Sequence, residues 1–277
     1  MFQQLGSVAA LPQVAQDILA VAQDPNAGVI DLLPAVEKDP GLAANIVKTA
    51  NSSYYAPRQP IGDLQTALSM LGMDRARNLA MTVVVGDRFT EPSPIGEIDR
   101  HRLWDHSVCT AAAARTLAKH TGTADPEEAY LAGLIHDLGL LVIDQHLVEQ
   151  LPRLLVRLRT GGDWVAAEHE IFSFDHAQLG AYLAWRSGFP DQIVEAVDLH
   201  HESNRASGEV AYLVSVVAVA NYFVTRMGRG SIAARRLEAP SQTVFDRLEL
   251  DRPALRNVWA LIEEQLAHVG GLTESLG

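Results

Sequence analysis

The stretch "AGLIHDLGLL" (Ala132–Leu141) places a histidine and an aspartate side by side in an otherwise apolar run. Charged groups are rarely buried without a partner, because leaving water costs several kcal/mol unless a hydrogen bond or opposite charge replaces it. His136 and Asp137 therefore predict further polar residues elsewhere in the chain that meet them inside the fold. Just upstream, Asp125-Pro126-Glu127-Glu128 is a strong helix start. It offers a capping side chain, a proline at the first helical position and acids in the first turn. The helix opened there is expected to run through His136-Asp137.

Outward from this point the pattern stays helical. "LPQVAQDILAVAQDP" sets Val14, Ile18, Leu19 and Ala22 on one face. Asp39-Pro40 opens another short helix, and "DLQTALSMLG" is a third, stopped at Gly72. "TEPSPIGEIDR" (Thr90–Arg100) carries two prolines and a glycine without periodicity and reads as a linker. Asp175 predicts a second N-cap, with Gln178 as its capping-box partner. "VAYLVSVVAVANYFV" is apolar on nearly all sides, as a central buried helix must be. Two further amphipathic segments, around Val244 and Trp259, follow Ser231. The expected fold is all-α, in three parts: an N-terminal helical subdomain (1–90), a second helical subdomain (91–230) and a C-terminal helical extension (231–277).

Composition narrows the function. The chain has 277 residues, 48% of them hydrophobic, enough for a large core. Its net charge of -12 disfavours nucleic-acid binding, since an acidic surface repels phosphate backbones. One cysteine, Cys109, excludes an intramolecular disulfide framework and fits a reducing compartment. The longest apolar run, near Tyr212 to Val224, is too short for a membrane span. No basic segment followed by an apolar one opens the chain. Cytoplasmic location without membrane contact is the resulting expectation.

Several of the ten histidines fall at positions that need explaining. His106 lies near the start of an Ala-rich helix. His176 stands at the first position of its helix, where the dipole disfavours an imidazolium, so a neutral ring is expected. His200 and His201 close a helix on which Ile193 and Val197 mark the apolar face, so both lie near the buried stripe. Imidazoles with one carboxylate suit iron, manganese or zinc, whereas magnesium prefers all-oxygen sites. The bland alternative is a buried hydrogen-bonded network of His106, His136 and Asp137, with Asn221 able to donate and accept within it.

A histidine, a His-Asp pair some thirty residues on, and later helical histidines resemble the HD superfamily of metal-dependent phosphohydrolases. "LPQVAQDIL", "KDPGLAANIVKTANSSYY", "IGDLQTALSMLGMDRARNLAM", "AGLIHDLGLL", "DHAQLGAYL" and "HHES" resemble, more closely, the HDOD family, the HD-related output domain of bacterial signalling. The resemblance covers roughly residues 8 to 230. It implies an N-terminal helical bundle followed by an HD-like bundle, and a signalling role exercised through protein partners, with a homodimer left open. By similarity to the related cyclic-dinucleotide phosphodiesterases, His106, His136, Asp137, His176, His200 and His201 match the ligands of a binuclear metal site. Three positions depart from those enzymes. Asn221 stands where they have a closing aspartate, Leu140 where they have a lysine, and "HHESNRASGE" where they have a Gly-Tyr-Pro signature. The resemblance thus implies a regulatory, protein-binding module with a mono- or binuclear site. A metal-dependent phosphohydrolase of cyclic dinucleotides or nucleotides is the alternative, and a metal or redox sensor the third reading.

Overall fold

Aspartates start the helices. In the computed structural model, which describes residues 11–90, 93, 98–159, 163–230 and 238–276, Asp39, Asp63, Asp99, Asp125, Asp163 and Asp175 each accept backbone N–H groups of the helix that follows. Each such cap is worth about 1 kcal/mol. Part of the chain's acidity is therefore spent on satisfying helix ends. Asp175 and Gln178 form the expected reciprocal capping box.

Among the described residues all regular structure is helical. The first group comprises α1 (Gln13–Gln23), α2 (Leu33–Val36), α3 (Pro40–Ala50), α4 (Leu64–Leu71) and α5 (Met73–Gly86). Helix α5 is its hub, buried continuously from Ala76 to Gly86 and packed by α1, α3 and α4. The second group is built on α6 (Arg100–Thr121), followed by α7 (Pro126–Ile135), α8 (Leu138–His146), α9 (Leu151–Arg159), α10 (Trp164–Phe172), α11 (His176–Arg186), α12 (Asp191–Leu199) and α13 (Val210–Arg226). The alanine run Ala111–Ala114 keeps α6 thin, so α7 and α13 lie close against it. At the α6–α7 crossing a Cβ on Gly133 would stand 3.0 Å from the Thr110 carbonyl oxygen, so only glycine fits without displacement.

The two groups share one core. Asn78 of α5 donates to the Glu127 carbonyl at 2.8 Å, and Thr82 pairs with the Tyr130 hydroxyl at 2.9 Å. Helix α13 is buried along most of its length, as its sequence predicts. The C-terminal segments form α14 (Gln242–Arg247) and α15 (Arg252–Leu276). Helix α15 packs along α6 and buries Val258, Ile262, Leu266 and Val269. Each such side chain contributes about 1.5–3 kcal/mol of burial, so the extension completes this chain's own core. The linker expected at 90–100 lies largely outside the described residues. No described helix is long and apolar enough to cross a membrane.

One expectation is corrected. The helix opened by Asp125 does not run through His136-Asp137 but ends at Ile135, and a new one starts at Leu138. Asp137 leaves helical geometry, with φ -98° and ψ 12°. The break lets α8 turn and seat Gly139 directly on the N-terminus of α11. A Cβ at that glycine would lie 2.0 Å from the His176 carbonyl oxygen.

Candidate metal centre

The break carries the site. His136 closes α7 and Asp137 precedes α8, so both side chains are held at a rigid corner with 0% and 3% exposure. Around them gather His106 from α6, His176 from the first turn of α11, and His200 and His201 from the end of α12. His106, His176 and His200 are buried. His201 is not buried as expected. It keeps an exposed edge, while its Nε2 lies 2.9 Å from that of His176.

Hydrogen bonding decides which nitrogen of each ring faces inward. The Nδ1 atoms of His106, His136 and His200 lie 2.7, 2.8 and 2.7 Å from the carbonyl oxygens of Arg229, Gly133 and Val197. A carbonyl only accepts, so each Nδ1 carries a proton and each ring turns its Nε2 inward. Burial, aggravated by His136, pushes His106 down to about 4 despite Asp137, and burial with His201 pushes His200 well below the ordinary histidine range. Those rings are neutral at physiological pH. Yet Nε2 of His106 faces Nε2 of His136 at 3.2 Å, and Nε2 of His200 is buried without a hydrogen-bond partner. Two inward nitrogens that crowd each other, and one buried without a hydrogen-bond partner, fit a cation between them.

Asp137 divides the cluster in two. Its Oδ2 lies 3.5 Å from His106 Nε2 and 3.4 Å from His136 Nε2. Its Oδ1 lies 3.4 Å from His176 Nε2 and 3.7 Å from His200 Nε2. Ligand bonds of about 2.1 Å to a tetrahedral ion place neighbouring donor atoms roughly 3.4 Å apart. The donor set therefore fits metal twice: His106, His136 and Asp137 on one side, and Asp137, His176, His200 and His201 on the other. His136 and His176 hold the Asp137 carboxyl well below the usual carboxylate range against its burial. Asn221 lies near His106, borders a cavity that opens on the cluster, and accepts from Thr225 at 3.3 Å.

Glu168 is the residue that sequence reasoning missed. Fully buried on α10, it takes the His176 backbone N–H at 3.0 Å, the His176 Nδ1–H at 2.6 Å and the Trp164 indole N–H at 2.7 Å. A carboxylate behind a ligating histidine orients the ring and raises its basicity. It also acts on the charge of His176. Burial alone lowers its pKa, but Glu168 and Asp137 override that and raise it well above the ordinary value. The signal was present in "WVAAEHEIF", where Glu168 occupies the register of buried Ala167 and Phe172.

The model of the HDOD domain family matches residues 8–203. The chain belongs to the HDOD family. An HDOD domain protein from Geobacter sulfurreducens shares the fold, with a TM-score of 0.79 at 23% identity over 99% of this chain and 95% of that one. A protein from Marinobacter aquaeolei VT8, proposed to act in signal transduction, superposes with a TM-score of 0.79 at 27% identity, over 96% of this chain and 59% of its own. An uncharacterised protein of Treponema pallidum (strain Nichols) is 26% identical over 228 residues, 79% of this chain. The HDOD chain spans 42% of the length of that curated relative.

Glu168 gives a direct test of the donor arrangement. Glu168→Gln is expected to lower metal affinity about 10- to 100-fold in a chelator competition titration, with unchanged helical circular dichroism. Parental affinity in the variant would reduce Glu168 to a helix-end partner.

Proposed function

We propose that this HDOD protein is a metal-loaded signalling module that regulates a partner protein without hydrolysing phosphodiesters. His106, His136 and Asp137 would hold one ion, and Asp137, His176, His200 and His201 a second, of iron, manganese or zinc. Bound metal supplies Lewis acidity and fixed positive charge.

The observation that carries the regulatory reading is the lining of the roughly 460 Å³ cavity that opens on the cluster. Among the described residues it contains no lysine or arginine, and Asp163, Glu202 and Glu238 stand at its walls. Phosphoryl transfer needs cations where charge develops, and here only bound metal would supply them. Leu140, where the resembling enzymes have lysine, lies at 3% exposure in that lining. Asn221 adds no charge. The chain's own residues tie α6, the α7–α8 corner, α11 and α12 to one point, so metal loading would set how these helices sit and what surface a partner meets. The signal-transduction relative at 27% identity supports the same reading.

The experiment is metal analysis of protein purified without chelator or affinity tag, paired with hydrolysis assays on a cyclic dinucleotide and on bis(p-nitrophenyl) phosphate. We expect bound metal and no turnover above the metal-free control. Turnover that disappears in His136→Ala would overturn this reading in favour of a phosphohydrolase.

A further inference from the structure

A second cavity, of about 480 Å³, lies away from the metal centre between the first helical group, α6 and α15. Its size is in the range of small-molecule sites. The segment "TANSSYYAPRQP" (Thr49–Pro60) forms one wall through Tyr54, Tyr55 and Pro57. Ala56 within it holds a positive φ of 41°, a conformation that a non-glycine residue keeps only when its surroundings impose it.

The other wall is cationic in a strongly acidic protein. Arg75, Arg115 and Lys119 line the cavity, and Glu127 is the carboxylate paired with the first two, with Arg75 at 3.7 Å. Three positive charges against one negative leave an excess of two. Lys119 registers this field: burial, then Arg115 and Arg75, lower its pKa. Arg115 is fixed from several sides. It donates to the Tyr54 hydroxyl at 2.8 Å and lies 3.9 Å over the Tyr130 ring. Its Nε and the Tyr55 hydroxyl are buried without hydrogen-bond partners. At the mouth the lining is apolar and open, with Met70 58% and Leu261 41% exposed.

A rigid tyrosine wall, an apolar lip, two surplus positive charges and a nucleotide-sized volume specify one ligand chemistry. We propose that this cavity binds a nucleoside monophosphate, with its phosphate on Arg75 and Lys119 and its base along the Tyr54 wall. A phosphate monoester carries about -1.5 to -2 charges at neutral pH, which matches the excess. Arginine forks bind its oxygens in pairs. Such a ligand would bridge the first helical group, α6 and α15, and so bias the far end of the helix that carries His106.

The test is isothermal titration of the full chain with AMP and GMP, with adenosine and inorganic phosphate as controls. At least one nucleotide is expected to bind in the micromolar range, and its nucleoside at least about tenfold more weakly. Arg75→Ala and Lys119→Ala, both at exposed positions, are each expected to weaken binding about tenfold while the circular dichroism stays parental. His136→Ala should still bind nucleotide, which separates this site from the metal centre. Absence of binding to both nucleotides at millimolar concentration would overturn the proposal. So would binding that ignores Arg75→Ala but vanishes with His136→Ala, because that pattern puts the ligand on the metal.

Discussion

Asp137→Ala will yield a folded protein that retains almost no metal. Asp137 is the residue common to both donor groups, one carboxylate oxygen facing His106 and His136, the other facing His176 and His200. The remaining donors are imidazoles, which bring lone pairs but no negative charge. Two dications held only by neutral rings would be buried charges without compensation, and their solvation loss outweighs the bonds that remain. The fold should survive, because the Asp137 carboxylate makes no cap hydrogen bond and the His176 ring keeps Glu168 at 2.6 Å. Asp137→Asn sharpens the test. It preserves shape and one acceptor oxygen but removes the charge, and it too should lose metal. The measurement is elemental analysis beside circular dichroism for parent and variants. Full occupancy in Asp137→Ala would falsify the shared-carboxylate arrangement.

How far the sequence reached can be judged residue by residue. Helix starts at Asp125 and Asp175 were legible because a cap is a local device, decided within three residues. The burial of α13 was legible because an all-round apolar helix has only one place to go. The histidines were recognisable as a set through family resemblance, and the structure brings all of them to Asp137. What escaped was long-range. The break at His136-Asp137 has no proline or cap to announce it; it follows from the contact of Gly139 with a helix starting nearly forty residues later. The register of Glu168 marks it as buried, but its partner is set by a turn between two helices rather than by spacing along one. The same cause hid what acts on His176: a dipole argument saw the helix end but not the carboxylate beneath it, which raises the ring's pKa. The cationic cavity combines residues from four separate segments, none of which is basic enough alone to attract notice.

Gly139→Ala tests whether that long-range contact builds the site. The added methyl would meet the His176 carbonyl oxygen at 2.0 Å, its carbon at 2.8 Å and the Gly180 nitrogen at 3.0 Å. All three are backbone atoms of α11, so no rotamer change relieves the clash. Either α8 or the start of α11 must move. Overpacking of this kind costs about 3 kcal/mol or more, against a helix-propensity gain of about 1 kcal/mol from glycine to alanine. The net loss of about 2 kcal/mol should lower the melting temperature by roughly 4–8 °C for a chain of this size. The effect on metal should exceed the effect on stability. His176 is the residue displaced, and a shift of its ring away from Oδ1 of Asp137, now 3.4 Å distant, takes one donor from the second group. Gly62→Ala is the control, because a Cβ there meets nothing within 4 Å and its backbone is not left-handed. Thermal melts and metal analysis of the two variants decide the matter. A Gly139→Ala protein that melts with the parent and keeps its metal would mean that α8 and α11 can separate freely, and the corner at His136-Asp137 would then need another cause.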